Sequence, residues 1–179
     1  MKLAKPTPEQ LEFQDLELGM FIHFGLNTFT GESHGEGEEP PTKFNPSNLD
    51  CEQWLEAARL MGANYVVLTA RHEGGFCNFP TETTAYSVEN SPWKNGKGDV
   101  VAEVAAACRK AGLKFGIYLS PWDRHEPSYG NSPVYNQYFK NQLRELLTNY
   151  GDIFCVWFDG ACGEGNNKKK QVYDWDGYY

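Results

Sequence analysis

Four short apolar runs in the sequence each end in polar side chains that can do chemistry. These side chains, in order along the chain, are His23, His72, Tyr118 and Asp159. A single histidine at the end of an apolar run is more often structural. The same arrangement at four successive runs is not explained by core packing, and it indicates an acid–base or ligand-binding site.

The four runs have the composition of β-strands. They cover residues 20–24, 65–70, 113–119 and 153–158, and each is almost continuously apolar and rich in β-branched and aromatic residues. Such runs are typical of a parallel sheet covered on both faces. Because parallel strands place their carboxyl ends at one edge of the sheet, the four polar side chains would be gathered there.

Helical patterns separate the runs. Apolar residues recur at helical spacing in three stripes, at residues 54–61, 100–108 and 135–147. Asp99 is the expected N-terminal cap of the second stripe, and Asn48 or Asp50 that of the first. Each stripe is followed by a glycine suited to the left-handed conformation that ends many helices, namely Gly62, Gly112 and Gly151. We expect all three stripes to pack in the core.

This alternation of strands and helices fits either an open doubly wound sheet or half of a (β/α)₈ barrel. A nucleotide-binding open sheet would carry a glycine-rich phosphate loop after its first strand, where His23-Phe24-Gly25 stands instead. Polar residues at the end of every strand favour the barrel, whose active site lies at that end. We therefore expect an α/β fold, with residues 1–179 forming strands one to four of a TIM barrel as one incomplete catalytic domain.

The residue types narrow the chemistry. Barrel metallohydrolases need paired imidazoles, but the first strand offers only His23 among the chain's four histidines, so we expect no metal. A serine nucleophile would need a Gly-x-Ser-x-Gly turn, which the sequence lacks. Asp159 lies near Trp157, and a carboxylate among aromatic rings and imidazoles suits a sugar. A retaining glycosidase uses two such carboxyl groups about 5 Å apart.

Composition excludes several classes of partner. The chain has 179 residues and a net charge of −8, which argues against a nucleic acid or an anionic membrane. Its five cysteines show no metal-ligand spacing. The first ten residues contain no apolar segment of the kind found in secretory signals. The compartment stays open, as does the oligomeric state.

Several motifs resemble the α-L-fucosidases of glycoside hydrolase family 29, most of all the bacterial and plant branch that acts on α-1,3 and α-1,4 linked fucose. The resemblance runs from about residue 18 to about residue 163. Five segments carry it: Phe21-Ile22-His23-Phe24-Gly25-Leu26-Asn27-Thr28-Phe29, Phe44-Asn45-Pro46, Ser91-Pro92-Trp93-Lys94-Asn95-Gly96-Lys97-Gly98-Asp99-Val100, Gly116-Ile117-Tyr118-Leu119-Ser120-Pro121-Trp122-Asp123-Arg124-His125-Glu126 and Val156-Trp157-Phe158-Asp159-Gly160.

The resemblance implies a role for each residue of the expected site. Asp159 would be the catalytic nucleophile of a retaining exo-glycosidase that hydrolyses terminal α-L-fucosyl residues without metal or cofactor. His23, His72, Tyr118 and Trp157 would bind the sugar of a fucosylated glycan. We also expect an aromatic wall, formed by Phe24, Trp157 and Phe158, to accept the methyl group of fucose. The family's members are often secreted, periplasmic or lysosomal.

Two departures from the family pattern matter. The usual Lys-His-His-Asp-Gly-Phe after the second strand is here Arg71-His72-Glu73-Gly74-Gly75-Phe76, so Glu73 stands in place of a second imidazole. Glu73 is expected either to bind the sugar or to pair with Arg71 or Arg124. The family's acid/base carboxylate would lie beyond residue 179, together with strands five to eight, so the chain alone would be inactive.

Some alternatives stay open. The competing hypothesis for function is a non-catalytic carbohydrate-binding or degenerate barrel fragment. The acidic loop at residues 31–41 is expected to be solvated, although one of its carboxylates could contact substrate. Trp122 is expected to pack under a loop, with Asp123 and Arg124 ordering that loop. The natural glycan and its linkage are not specified by the sequence.

Overall fold

The computed structural model describes residues 4–179, and these contain one four-stranded parallel sheet. Its strands are β1 (Gly19–Ile22), β2 (Tyr65–Arg71), β3 (Lys114–Leu119) and β4 (Val156–Trp157), paired in the order β1-β2-β3-β4. The prediction of four adjacent parallel strands in an α/β fold is confirmed. Residues 1–3, part of the segment expected to hold no secretory signal, lie outside the described residues.

Among the described residues, five α-helices accompany the sheet: α1 (Pro8–Asp15), α2 (Cys51–Leu60), α3 (Val100–Ala111), α4 (Ser132–Asn149) and α5 (Trp175–Tyr178). The three predicted stripes form α2, α3 and α4. Helix α1 was not predicted, because it buries no residue and has no apolar stripe. Its start is nevertheless encoded locally, since Thr7 and Gln10 cap it reciprocally. No helix within residues 4–179 is long and apolar enough to cross a membrane.

Local signals at the helix ends are mostly confirmed. Asp50, not Asn48, caps α2, and Asp99 caps α3 by accepting the Ala102 N–H at 2.8 Å. The three expected glycines have left-handed backbone, with φ of 83°, 70° and 81° at Gly62, Gly112 and Gly151. Two stripe positions were wrong, because Met61 and Leu147 are 49% and 44% exposed. Both lie at the last position of their stripe, close to the carboxyl end of the helix.

The two faces of the sheet have different environments. Val66, Leu68 and Ala70 of β2, and the alternate residues of β3, pack with the helices in the hydrophobic core. The residues between them point to the opposite side, as the two-residue period of a strand requires. That opposite side, called here the concave face, carries Phe21, Val67, Tyr118 and Trp157.

The concave face is strongly curved. In a flat sheet, β1 and β4 would lie about 14 Å apart, because two strands separate them. The rings of Phe21 on β1 and Trp157 on β4 nevertheless meet edge to face at 5.4 Å between centroids. The sheet therefore curls around this face, and residues at the carboxyl ends of all four strands converge.

A β-bulge near the end of β2 separates core from site. Thr69 pairs with Tyr118 and Arg71 pairs with Leu119, so β2 has one residue more than β3 in this interval. The extra residue interrupts the alternation. Arg71 consequently lies on the helix side of the sheet, and His72 is directed to the concave face.

Arg71 is fully buried at the end of β2, and both terminal nitrogens of its guanidinium have partners. It forms an ion pair with buried Asp123 and donates to the carbonyl of Ser120. It also donates to the Tyr135 hydroxyl of α4 at 3.3 Å. Asp123 in turn accepts the backbone N–H groups of residues 125 and 126, both at 2.9 Å. The loop after β3 thus has the ordering role expected of Asp123.

We predict that Arg71→Met destabilises the protein by about 3–5 kcal/mol, because it leaves the Asp123 carboxylate buried without its partner. The measurement is the free energy of unfolding from denaturant titration. Arg59→Met is the matched control, since the exposed pair of Arg59 with Glu56 contributes little to stability. Equal losses in the two variants would contradict the assigned importance of the buried pair. Adding Asp123→Leu to Arg71→Met should recover part of the loss.

Candidate active site

The polar residues that the sequence placed at four strand ends lie together at the carboxyl edge of the concave face. The imidazole of His23, just after β1, is 5.4 Å from that of His72 and 5.9 Å from the Tyr118 ring, between centroids. Tyr118 also stacks on His72 at 5.4 Å with an interplanar angle of 18°. These three side chains therefore form one continuous polar and aromatic surface.

Asp159 completes this surface from the loop after β4. The Tyr118 hydroxyl donates a hydrogen bond to its Oδ2 at 2.8 Å, and the backbone N–H of Ala161 donates to its Oδ1 at 2.8 Å. The bond to Tyr118 follows from the topology, because Tyr118 and Trp157 are paired residues of adjacent strands. Both carboxylate oxygens are thus held in fixed directions.

The surroundings of Asp159 favour its ionised form. Partial burial works against the charge, but the Ala161 N–H and the Tyr118 hydroxyl outweigh it and lower the pKa of the carboxyl below its usual value. His72 and His23 act in the same direction. Burial and the bond to Asp159 raise the pKa of Tyr118, so the phenol stays a donor. An ionised carboxylate with a fixed orientation can act as a nucleophile.

The two imidazoles favour their neutral forms. Burial, followed by the neighbouring His23 and His34, lowers the pKa of His72 to about 4. Burial also lowers the pKa of His23, although Asp159 opposes this. A neutral imidazole both donates and accepts a hydrogen bond, which suits recognition of hydroxyl groups.

The aromatic wall expected around the site was partly wrong. Trp157 lies on the concave face and is 46% exposed. Phe24 instead packs against Phe44 and Trp54 in the core, and Phe158 against Phe139. Each is the immediate sequence neighbour of a concave-face residue, so strand alternation points it to the other side.

Phe21 takes the place of the two misplaced aromatic residues. Its ring centroid lies 4.9 Å from that of His23 and 5.8 Å from that of Tyr118, and the ring also contacts Trp157. Strand alternation could have identified it, because Phe21 lies two residues before His23 and so shares its face. The aromatic part of the site is therefore the edge-to-face pair of Phe21 and Trp157.

Glu73 is buried, and its carboxylate lies beside a histidine and an arginine. Its Oε1 lies 3.2 Å from Nδ1 of His34 and 3.6 Å from Nη2 of Arg124. Of the two expected arginine partners, Arg124 is thus confirmed and Arg71 is wrong, since the bulge moves Arg71 to the helix side. Burial raises the pKa of Glu73, while His34 and Arg124 oppose the rise.

His34 belongs to the site region although the sequence did not single it out. It comes from the long loop after β1, and its ring lies parallel to that of His72, 6.3 Å away between centroids and with an interplanar angle of 3°. The two side chains border one small cavity. No spacing within the sequence reveals this proximity, because it depends on how the loop folds back.

The acidic loop is solvated as expected, with Glu32, Glu36 and Glu38 exposed, and two of its carboxylates also make ordering contacts. Glu36 pairs with Arg124 at 2.5 Å, and Glu39 accepts the backbone N–H groups of Glu36 at 2.7 Å and Gly37 at 2.9 Å. Trp122 packs as expected, against Gly163 and beneath the guanidinium of Arg124, 4.9 Å from its ring centre.

The remaining polar groups give little sign of further chemistry. Within residues 4–179, no group of three or more His, Cys, Asp or Glu side chains is placed to hold a metal ion. All five cysteines are unpaired. Burial raises the pKa of Cys77 and Cys108 to about 12, which keeps both thiols protonated.

A parallel α/β sheet with a carboxylate, imidazoles and exposed aromatic rings at its carboxyl edge offers groups that can bind a sugar and attack its anomeric carbon. The comparisons with known proteins make the class specific. The family model described as alpha-L-fucosidase matches residues 36–176. The chain therefore belongs to the alpha-L-fucosidase family.

Individual relatives agree with this membership. The chain is 48% identical to alpha-L-fucosidase 1 of Arabidopsis thaliana, over 96% of this chain and 34% of that protein. It matches the crystal structure of a glycoside hydrolase 29 family member from a rumen bacterium with 54% identity and a TM-score of 0.91, over 97% of this chain and 33% of the other.

One relative of the chain has been crystallised with a sugar. The chain is 36% identical to a Ruminococcus gnavus GH29 fucosidase crystallised with fucose, with a TM-score of 0.86, over 97% of this chain and 39% of that one. The chain thus spans about a third of the length of the relatives it matches.

We predict that the imidazole of His72 titrates at about pH 4, well below the usual histidine range, because burial and neighbouring imidazoles disfavour its charge. The proton should therefore be absent from His72 throughout the neutral range and bind only as the pH falls through about 4. NMR titration of the ring resonances measures this, with His72→Gln identifying the signal. A midpoint near 6.5 would contradict the described environment.

Proposed function

We propose that the protein carrying this chain is an exo-acting retaining α-L-fucosidase, with Asp159 as its nucleophile. The observation that carries the proposal is the ionised Asp159 carboxylate, fixed by Tyr118 and Ala161 beside two neutral imidazoles and an exposed aromatic pair. Family membership supports the choice of sugar. Because the chain covers about a third of its relatives, the activity is proposed for the longer protein.

In the proposed first step, a carboxylate oxygen of Asp159 attacks the anomeric carbon of the fucosyl residue. The bond from that carbon to the glycosidic oxygen breaks, and the departing oxygen receives a proton from a carboxylic acid. Water then displaces Asp159 with the help of the same acid, now a base, and the configuration is retained. We propose that this acid/base residue lies beyond residue 179.

The other site residues would hold the sugar. The neutral rings of His23 and His72 suit hydrogen bonds to hydroxyl groups, and Trp157 offers an exposed face to the apolar side of the ring. Tyr118 has a second task in this proposal. Its bond to Oδ2 leaves less freedom to the carboxylate, so the attacking oxygen is already directed when the substrate arrives.

The curvature of the sheet supports a further proposal about architecture. Residues 1–179 would form the first four strands of a (β/α)₈ barrel, within a single catalytic domain. The 5.4 Å contact of Phe21 with Trp157 is the kind of approach that barrel closure requires. The concave face would then be the barrel interior, and the site its C-terminal mouth.

The substrate proposal is a terminal α-L-fucosyl residue of a glycan, with α-1,3 or α-1,4 linkage suggested by the resembled branch. A GH29 relative crystallised with fucose supports the sugar. The pair of Phe21 and Trp157 supplies an apolar surface for the methyl group at C6, in the role first expected of Phe24 and Phe158.

We predict that Asp159→Gly lowers kcat for 4-nitrophenyl α-L-fucoside by roughly 10³-fold or more, because no other group can form the covalent intermediate. Azide, which can attack the anomeric carbon in the space left by the carboxylate, should restore nitrophenol release and give a fucosyl azide of inverted configuration. Asp152→Asn, at an exposed aspartate before β4, is the control and should keep full activity.

Full activity of the Asp159→Gly protein would reject the mechanism. So would a fucosyl azide that retains the configuration of the substrate. His23→Ala should behave differently from the nucleophile variant, with kcat reduced and KM raised together, since it removes a contact to the sugar that is present in the ground state and tightens in the transition state.

We also predict that an α-L-fucoside is hydrolysed about ten- to a hundredfold faster, in kcat/KM, than the matching α-L-galactoside. The galactoside carries a C6 hydroxyl where fucose has a methyl group, and burying it unpaired against Phe21 and Trp157 costs roughly 1–3 kcal/mol. Equal values for the two sugars would reject the fucose assignment and leave the retaining mechanism standing.

A further inference from the structure

Two parallel imidazoles from different loops border the proposed sugar site, and only one of them, His72, has a role so far. His34 lies 6.3 Å from His72 between ring centroids, and the rings are parallel within 3°. His72 follows β2, whereas His34 belongs to the loop after β1. Their alignment is therefore produced by tertiary contacts and needs a cause.

Glu73 is the contact that orients His34. Its carboxylate is 3.2 Å from Nδ1 of His34, so the Nδ1 edge of the imidazole faces this negative charge. The carboxylate is also paired with Arg124 at 3.6 Å. With both partners on the protein side, Glu73 is occupied. The opposite nitrogen of His34, Nε2, has no hydrogen-bond partner among residues 4–179, and the side chain is 39% exposed.

The loop backbone holds His34 at this place. A Cβ on Gly74 would lie 2.8 Å from the carbonyl oxygen of His34, so only glycine lets the two loops approach. Gly37 has a φ of +82° and packs as closely against the backbone at residues 124 and 125. Glu39 accepts three backbone N–H groups of the same loop. The position of His34 is thus specified from both sides.

We propose that His34, oriented by Glu73, contacts a hydroxyl group of the bound sugar adjacent to the one that His72 contacts. This inference rests on the proposed function. It makes His34 a specificity-determining residue and Glu73 the residue that positions it. The imidazole that the usual His-His pair would supply after β2 is then supplied from the loop after β1. Because a neutral ring whose Nδ1 faces the Glu73 carboxylate carries its proton on that nitrogen, Nε2 is left to accept a hydrogen bond from the hydroxyl.

Two substitutions separate contact from support. His34→Asn keeps an N–H donor near Nδ1 for Glu73 but removes the acceptor at Nε2. His125→Asn is the matched control, because His125 holds the same loop through a 2.7 Å contact of Nδ1 with the Gly37 carbonyl and stacks on Tyr86. Each variant, and its parent, is assayed with 4-nitrophenyl α-L-fucoside and its 2-, 3- and 4-deoxy analogues.

We expect the parent to lose about ten- to a hundredfold in kcat/KM on removal of the contacted hydroxyl. With the intact fucoside, kcat/KM of His34→Asn should fall by a similar factor. With the deoxy analogue that lacks the contacted hydroxyl, kcat/KM of His34→Asn should equal that of the unsubstituted protein. Glu73→Gln should fall between His34→Asn and the parent, because its amide oxygen still accepts from Nδ1, and Glu73→Ala should match His34→Asn. His125→Asn should stay within about twofold and keep the deoxy pattern of the parent.

An equal loss on all four sugars in His34→Asn, with the parental deoxy pattern preserved, would overturn the inference and leave His34 a structural residue. A parent that hydrolyses no α-L-fucoside would reject the proposed function, and this inference with it.

Discussion

The site depends on one buried ion pair, that of Arg71 with Asp123. A guanidinium removed from water needs partners for its N–H groups, and here they come from the loop after β3 and from α4. Satisfying Arg71 therefore fixes three elements relative to one another. His72 and Glu73 follow Arg71 directly in sequence, and Asp123 precedes Arg124. The ion pair of Arg71 with Asp123, on the helix side of the sheet, therefore helps to orient the imidazoles and the Glu73 carboxylate on the opposite side.

The second organising constraint is the curl of the sheet. It brings β1 and β4 within contact distance, so that Phe21 and Trp157 form an apolar surface beside the polar edge. Asp159 then faces two neutral imidazoles and a phenol rather than water alone. Because these groups stabilise its negative charge without supplying a proton, the carboxylate is suited to covalent rather than acid catalysis.

Much of this could be predicted from the sequence, because local signals control it. Strand composition, the Asp50 and Asp99 caps and the glycines at helix ends depend on short-range physics. The proximity of Asp159 to Tyr118 follows once adjacent strands are assumed. Phe24 and Phe158 were misplaced although period-two alternation already assigned them to the core. His34 and the bulge at β2 could not be found, since the first depends on loop packing across sequence and the second on a single extra residue.

The partners of Arg71 also set an order in time. Asp123 and Tyr135 follow it by 52 and 64 positions in the chain, so a ribosome adds them well after the end of β2 has emerged. Until they arrive, the guanidinium remains hydrated and cannot enter the core. The carboxyl end of β2, with His72 and Glu73, therefore stays loose during synthesis and is locked only when the first turns of α4 are made.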